Sequence, residues 1–121
     1  MKQILVVDDS STMRRMVMAS LQSLPDVKFD EASNGLEAVE QLAINSIDLM
    51  ILDLNMPEMH GMDVIKFVRQ HNSFKKIPII VLTTKGDSFT QITAVSAGAS
   101  LYMTKPFEPE TLAEQVKALL E

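Results

Sequence analysis

Aliphatic runs at residues 4–7, 27–32, 49–52, 77–82 and 101–103 alternate with longer segments whose apolar residues recur every three or four positions. The short runs predict strands, and the spaced repeats predict amphipathic helices. Met13, Met16, Val17, Ser20, Leu21 and Leu24 form the first such repeat, closed by Pro25. Leu36, Val39, Leu42 and Ala43 form the second, after Asn34-Gly35, and Met62, Ile65 and Val68 the third, after Gly61. Phe89, Ile92 and Val95 lead to Gly98, a helix-ending glycine. The last helix starts near Pro109 and turns Leu112, Ala113, Val116, Leu119 and Leu120 inward. A chain that alternates strand and helix in this way predicts an α/β fold with an open parallel sheet. Right-handed crossovers then place helices on both faces. Five such units favour the flavodoxin-like, doubly wound (βα)5 arrangement with strand order 2-1-3-4-5. The third and fourth runs are continuously apolar, as in strands covered on both faces, whereas Val-Lys-Phe-Asp-Glu-Ala alternates and suits an edge.

With 121 residues and no linker, repeat or low-complexity stretch, residues 1–121 are expected to form one domain. Sixteen acids against 11 bases give a net charge of −5, so the chain lacks the basic face that nucleic-acid binding requires. An anionic membrane surface is disfavoured for the same reason. The absence of cysteine excludes disulfides, thiolate zinc sites and cysteine nucleophiles. The four apolar residues before Asp8 are too few for a signal peptide, and no run approaches a membrane span. A cytoplasmic protein is the expectation.

In open α/β sheets the working site lies beyond the carboxyl ends of the strands. There the first strand ends in Asp8-Asp9, the third in Asp53, the fourth in Thr83-Thr84 and the fifth in Lys105-Pro106. The 2-1-3-4-5 order makes these four strands consecutive neighbours, so three carboxylates, a hydroxyl and an ammonium converge. Taken singly, each has a plain structural explanation: Asp9 as a helix cap, Asp53 as a turn residue, Thr83 as a β-branched strand end, Lys105 as a solvated side chain. Those explanations do not account for opposite charges at the ends of separate strands. Two carboxylates about 5 Å apart repel by roughly 3 kcal/mol at an effective dielectric of about 20. A divalent cation relieves that crowding, and an all-oxygen donor set with open positions suits Mg²⁺ better than zinc. Lys105 and Thr83 supply further donors for a phosphoryl group. A carboxylate can attack phosphorus to give an acyl phosphate, and Asp53, on the central strand, is best placed to do so.

Val6-Val7-Asp8-Asp9-Ser10, Leu52-Asp53-Leu54-Asn55-Met56-Pro57 with Gly61, Leu82-Thr83-Thr84 and Tyr102-Met103-Thr104-Lys105-Pro106-Phe107 together resemble a response-regulator receiver domain of two-component signalling. The resemblance runs from the first strand to the last helix. Ser10-Ser11-Thr12-Met13-Arg14-Arg15 is similar to the stand-alone chemotaxis receivers, themselves an example of the 2-1-3-4-5 order. The resemblance implies that Asp53 accepts a phosphoryl group from the phosphohistidine of a sensor histidine kinase or phosphotransfer domain. It implies that Asp9, Asp53 and the Asn55 backbone carbonyl ligate Mg²⁺, with Asp8 acting largely through water. Lys105 would pair with Asp53 and then with the phosphoryl oxygens, and Thr83 would swing in to bond one of them. Tyr102 would be an aromatic switch turning inward, and the Lys105–Pro106 bond would be cis. An output protein would bind the face of the fourth helix, fifth strand and fifth helix around Tyr102, where Ser88, Gln91 and Gln115 are polar and uncharged. The protein is expected to be a monomer, and its length to suit a stand-alone receiver that acts on another protein.

The family pattern is broken at three positions. His60 stands where Asp or Asn is common and concerns the turn. Thr84 stands where a small residue leaves access for the phosphodonor. Lys85 is expected either to reach the rim and obstruct the water that hydrolyses the acyl phosphate or to be an exposed, solvated lysine. Met13, Met16 and Met62 are expected to pack in the core and Met18 to be partly exposed, while His60, His71, Lys75 and Lys76 read as surface residues. Arg14-Arg15 read first as a solvated basic pair, with a second reading in which one of them helps dock a phosphotransfer domain. Two other functions compete. An Mg²⁺ phosphohydrolase with an aspartyl nucleophile wants a second carboxylate where this chain has Asn55, and it wants a cap domain. A flavin mononucleotide carrier wants a phosphate loop where Asp8-Asp9 would repel the phosphate, and aromatics that a chain with one Tyr and no Trp lacks.

Overall fold

A computed structural model describes residues 1–56, 59–84 and 86–121. Strands and helices alternate as β1 (Lys2–Val7), α1 (Ser11–Ser20), β2 (Val27–Ala32), α2 (Gly35–Ile44), β3 (Leu49–Leu52), α3 (Gly61–Gln70), β4 (Ile79–Thr83), α4 (Ser88–Ala97), β5 (Leu101–Thr104) and α5 (Pro109–Leu120). All strand pairings are parallel and the order is β2-β1-β3-β4-β5, as the strand–helix rhythm predicts. The alternating strand, β2, lies at an edge. No helix among the described residues is long and apolar enough to cross a membrane.

The continuous apolar runs follow from two cores fed by alternate residues of the same strands. Leu5, Val7, Met50, Leu52, Ile79 and Val81 point to one face, where Ala38 and Leu42 of α2, Val64, Ile65 and Val68 of α3 and Ala94 of α4 meet them. Ile4, Val6, Leu49, Ile51, Ile80 and Leu82 point to the other, against Val17 of α1, Leu21 beyond its end, and Leu112 and Val116 of α5. Side chains of β1, β3 and β4 buried to this degree hold the strands in register. The strand ends above them are thereby fixed.

The boundaries and faces depart from expectation at particular places. β4 begins at Ile79 rather than residue 77, because the Ile77 carbonyl accepts from Arg69 Nη1 at 2.7 Å and Pro78 has no N–H to donate. It runs on to Thr83, paired with Thr104. On α1, Met16 is 51% exposed, against expectation, while Met18 is partly exposed as expected and packs against the core with its buried part. The stripe centres on Val17 and Leu21, and Met18 lies nearer to it around the helix than Met16. Leu36 is half exposed and Ala43 exposed. α4 departs furthest. Its repeat of Phe89, Ile92 and Val95 faces solvent, at 78%, 65% and 50% exposure, and the inward residue is Ala94. The close packing of α4 on α3 and β5 admits only small side chains there.

Candidate functional site

β1 ends in Val7, and Asp8 continues its line because Asp8 N donates to the Ala32 carbonyl at 3.1 Å. Asp53 N likewise donates to the Val7 carbonyl at 2.9 Å, which sets β3's first residue past the strand beside β1's. Thr83 ends β4, fully buried, and its carbonyl accepts from Lys105 N at 2.8 Å, so Lys105 is carried alongside it. The Lys105–Pro106 peptide is cis. Backbone hydrogen bonds between neighbouring strands therefore bring together residues far apart in sequence.

The three carboxylates converge: one oxygen from each of Asp8, Asp9 and Asp53 lies within 4.8 Å of the others. Asp8 and Asp53 are buried and Asp9 is exposed, so the cluster opens to solvent on the Asp9 side. Lys105 Nζ stands 2.6 Å from Asp8 Oδ2 and 3.7 Å from Asp53 Oδ2, with the lysine side chain 11% exposed. The tight partner of the lysine is thus Asp8, with Asp53 the looser one. Asp8 Oδ1 accepts from Ser10 N at 2.9 Å, and Asp53 Oδ1 accepts from Asn55 N at 3.3 Å, folding each following loop back over its carboxylate. Burial pushes the Asp53 carboxyl above its ordinary range, opposed by Lys105, assisted by Asp8, and opposed again by hydrogen bonds from Asn55 and Thr83. Carboxylate oxygens in this number and spacing can hold a divalent cation, which would cancel the charge left over after Lys105.

Around the cluster, Asn55 is exposed, and Thr84, beside buried Thr83, is exposed as well. Tyr102 pairs with Val81 across β4 and β5, so it lies on the same sheet face as Thr83, two strand positions back, half-buried against the core under α4. Burial, and then the Asp87 carboxylate, raises the Tyr102 hydroxyl above its usual pKa. Asp87 caps α4, its side chain accepting from Thr90 N at 2.8 Å. His60 caps α3, with Nδ1 accepting from Met62 N at 3.1 Å, which is the service an Asp or Asn would provide. Lys85, expected at the rim, and Pro57 of the third-strand motif lie outside the described residues. Ser88 and Gln91 are exposed on α4, but the face there is dominated by the apolar Phe89, Ile92 and Val95.

Two features beside the site were not read from sequence. Gly61 packs so closely under the Asp53 loop that a Cβ would lie 2.6 Å from the Asp53 carbonyl oxygen and 2.7 Å from Leu54 Cα. Arg14 turns inward rather than out: Nη1 donates to the Asp8 carbonyl at 2.6 Å and Nε pairs with Glu31 Oε1 at 2.8 Å. Its place on the first helix next to a strand-end glutamate of the neighbouring strand was the available signal.

Residues 4–117 match the response regulator receiver domain family. The chain is 47% identical over 119 residues to the chemotaxis protein CheY1 of Helicobacter pylori strain J99, covering 98% of this chain and 96% of that one. It superposes on the chemotaxis response regulator CheY4 of Vibrio cholerae with a TM-score of 0.89 at 35% identity, over 99% of both chains. The manganese-bound form of response regulator Rcp1 superposes with a TM-score of 0.83 at 28% identity, over 98% of this chain and 91% of that one. Receiver domains are signalling modules fed by histidine kinases rather than metabolic enzymes. A family match across nearly the whole chain, coinciding with an acidic pocket at the ends of β1 and β3, establishes that this chain belongs to the response-regulator receiver family, close to the chemotaxis receivers.

Proposed function

We propose that residues 1–121 act as one receiver domain in the cytoplasm, with Asp53 as the phosphoacceptor and Mg²⁺ as its metal. The observation that carries this reading is the convergence of Asp8, Asp9 and Asp53 within 4.8 Å, beside Lys105. In the transfer, an Asp53 carboxylate oxygen attacks the phosphorus of a kinase phosphohistidine. A P–O bond forms as the P–N bond breaks, and the departing imidazole takes a proton from solvent. Asp8, Asp9, Asp53 and the Asn55 backbone carbonyl would hold the metal. When bound, it supplies positive charge against both the carboxylates and the phosphoryl oxygens. That the related Rcp1 takes Mn²⁺ supports a divalent ion here.

Lys105 would then leave part of its hold on Asp8 for a phosphoryl oxygen, and Thr83 would donate its hydroxyl to another. Inverting a two-state equilibrium from 1:99 takes about 5.5 kcal/mol. Hydrogen bonds to a charged group supply about 1.5–3 kcal/mol each. Two of them, together with further burial of the half-exposed Tyr102 ring, suffice. Because Tyr102 and Thr83 share a sheet face, displacement of Thr83 toward Asp53 frees room along that face, and the surface of α4, β5 and α5 would change for an output protein.

Incubation with a small acyl phosphate and Mg²⁺, followed by intact-mass measurement, tests the reading. The expected result is one adduct of about 80 Da that is lost with a chelator or in Asp53→Asn. An adduct that survives Asp53→Asn would overturn it.

A further inference from the structure

We propose that Arg14 is a positioning residue for the cation site, holding the peptide between Asp8 and Asp9 so that the Asp9 carboxylate faces its neighbours. The inference rests on the reading that Asp8, Asp9 and Asp53 hold a divalent cation.

Asp8 is held at every polar atom. Its N–H donates to Ala32, one carboxylate oxygen accepts from Ser10 N, the other meets Lys105, and its carbonyl accepts from Arg14 Nη1 at 2.6 Å. Asp9 is not. Among the described residues no hydrogen bond or ion pair holds its carboxylate, and it is exposed. Its direction is therefore set by its backbone and by its place at the start of α1. The carbonyl of Asp8 and the N–H of Asp9 belong to one rigid peptide plane. A bond to that carbonyl fixes the plane's rotation, and with it the direction in which the Asp9 side chain leaves the chain.

Arg14 is built for this task. It sits in the first turns of α1 with its side chain 15% exposed, and its own N–H donates to the Ser10 carbonyl at 3.0 Å, anchoring its backbone to the same loop. Glu31, on β2, takes the Nε edge at 2.8 Å and leaves Nη1 aimed at the carbonyl. The planar guanidinium makes both bonds at once in a fixed fork, whereas a lysine would have to share one ammonium. Glu31 also neutralises the charge of Arg14, which would otherwise compete with a cation at the carboxylates.

The proposal and a mere charge effect predict opposite signs. Taken as a charge, Arg14 repels a divalent ion, and removing it should tighten binding. Taken as a positioning group, its loss frees the Asp8–Asp9 peptide and weakens binding. Groups that orient metal ligands are worth about 10–100-fold in affinity, and for an exposed, partly hydrated site the lower end, about tenfold, is expected. Calorimetric titration of the full chain with Mg²⁺ at fixed ionic strength decides between them. Arg14→Ala should weaken binding about tenfold, and Arg14→Lys, with its charge kept, should fall between the two. Binding to Arg14→Ala that equals or exceeds wild type overturns the proposal. If that variant does not fold by far-ultraviolet circular dichroism, Arg14→Gln takes its place. It likewise removes the charge and shortens the side chain, so positioning predicts Mg²⁺ binding weakened by about two- to fivefold, and unchanged or tighter binding overturns the proposal. A wild-type chain that binds no Mg²⁺ would instead overturn the cation-site reading, so the two failures are distinct.

Discussion

Replacing Asp53 with asparagine should stabilise the metal-free fold at neutral pH. The Asp53 carboxylate is 5% exposed, lies within 4.8 Å of an oxygen from each of Asp8 and Asp9, and stands 3.7 Å from Lys105 Nζ. At an effective dielectric of about 20, each carboxylate at that separation repels by about 3.5 kcal/mol and the lysine attracts by about 4.5 kcal/mol. The balance is about 2.5 kcal/mol against the ionised form, which solvent around the exposed Asp9 reduces to about 1–2 kcal/mol. Asparagine keeps an oxygen for the Asn55 N–H and removes the charge. For a chain of this length the gain corresponds to a rise in Tm of about 4–8 °C.

The pH dependence has a definite sign. Burial raises the folded-state pKa of Asp53. The destabilisation is therefore full above that raised value, and it shrinks as pH falls from there toward the unfolded value of about 3.9. Thermal melts in a chelator across this range should show the advantage of Asp53→Asn narrowing as the medium becomes acidic. Mg²⁺ should reverse the order, because at a hundredfold excess over Kd it stabilises the wild type by about 2.7 kcal/mol and the variant much less. An asparagine variant that melts below wild type in chelator at neutral pH, or that gains equally from Mg²⁺, refutes the reasoning.

Other substitutions probe the supports of the site. Lys105→Ala removes the 2.6 Å partner of a buried carboxylate and should cost about 3 kcal/mol in chelator, measured by urea denaturation; an unchanged midpoint would contradict the pairing. The same variant should bind Mg²⁺ more tightly, since a competing cation is gone. Gly61→Ala places a Cβ 2.6 Å from the Asp53 carbonyl, so it should destabilise by about 1–3 kcal/mol and shift amide resonances of the Asp53 loop; a variant as stable as wild type would show that the loop yields freely. Asp87→Asn should lower the Tyr102 titration midpoint, followed by tyrosinate absorbance in a chain with one Tyr and no Trp. Burial is the larger cause, so the midpoint should remain above about 10; a midpoint that does not fall removes Asp87 from the account.

The strand order and the convergence of Asp8, Asp9 and Asp53 were legible because each stands just past a continuous apolar run. Such runs mark buried strands, and a buried strand's fixed register dictates where the next residue in the chain must lie. Pairing inside the pocket was not legible. Lys105 lies much closer to Asp8 than to Asp53, a matter of how β5 sits against β4 and not of any local pattern. α4 misled because periodicity reports a face but not which way it turns. Its large residues recur every three positions, yet the space against α3 and β5 accepts Ala94, so Phe89, Ile92 and Val95 turn outward. Pro78 advanced the start of β4 for a reason visible in the sequence, while the capture of the Ile77 carbonyl by Arg69 was not.

The charge of the chain acquires a location from this geometry. Setting aside the three pocket aspartates and Lys105 leaves 13 acids against 10 bases, an ordinary surface, so the pocket holds a disproportionate share of the net negative charge. A pocket fully neutralised by protein cations would be more stable and would have little affinity for a metal. Here the charge of Arg14 is taken up by Glu31 while its guanidinium holds a carbonyl, and Lys105 meets Asp8 and Asp53 of the three carboxylates. The residual imbalance of about two charges is what one divalent ion would cancel. If Asp53 is then phosphorylated, its single carboxylate charge is exchanged for an acyl phosphate of about −2, so about one negative charge returns. Lys105 and Thr83 would then have reason to move, because the negative charge of Asp53 would have advanced to the phosphoryl oxygens. The two apolar cores hold the strand ends, so under the proposed transfer the change in charge would be expressed as rotation of side chains rather than as loss of the fold.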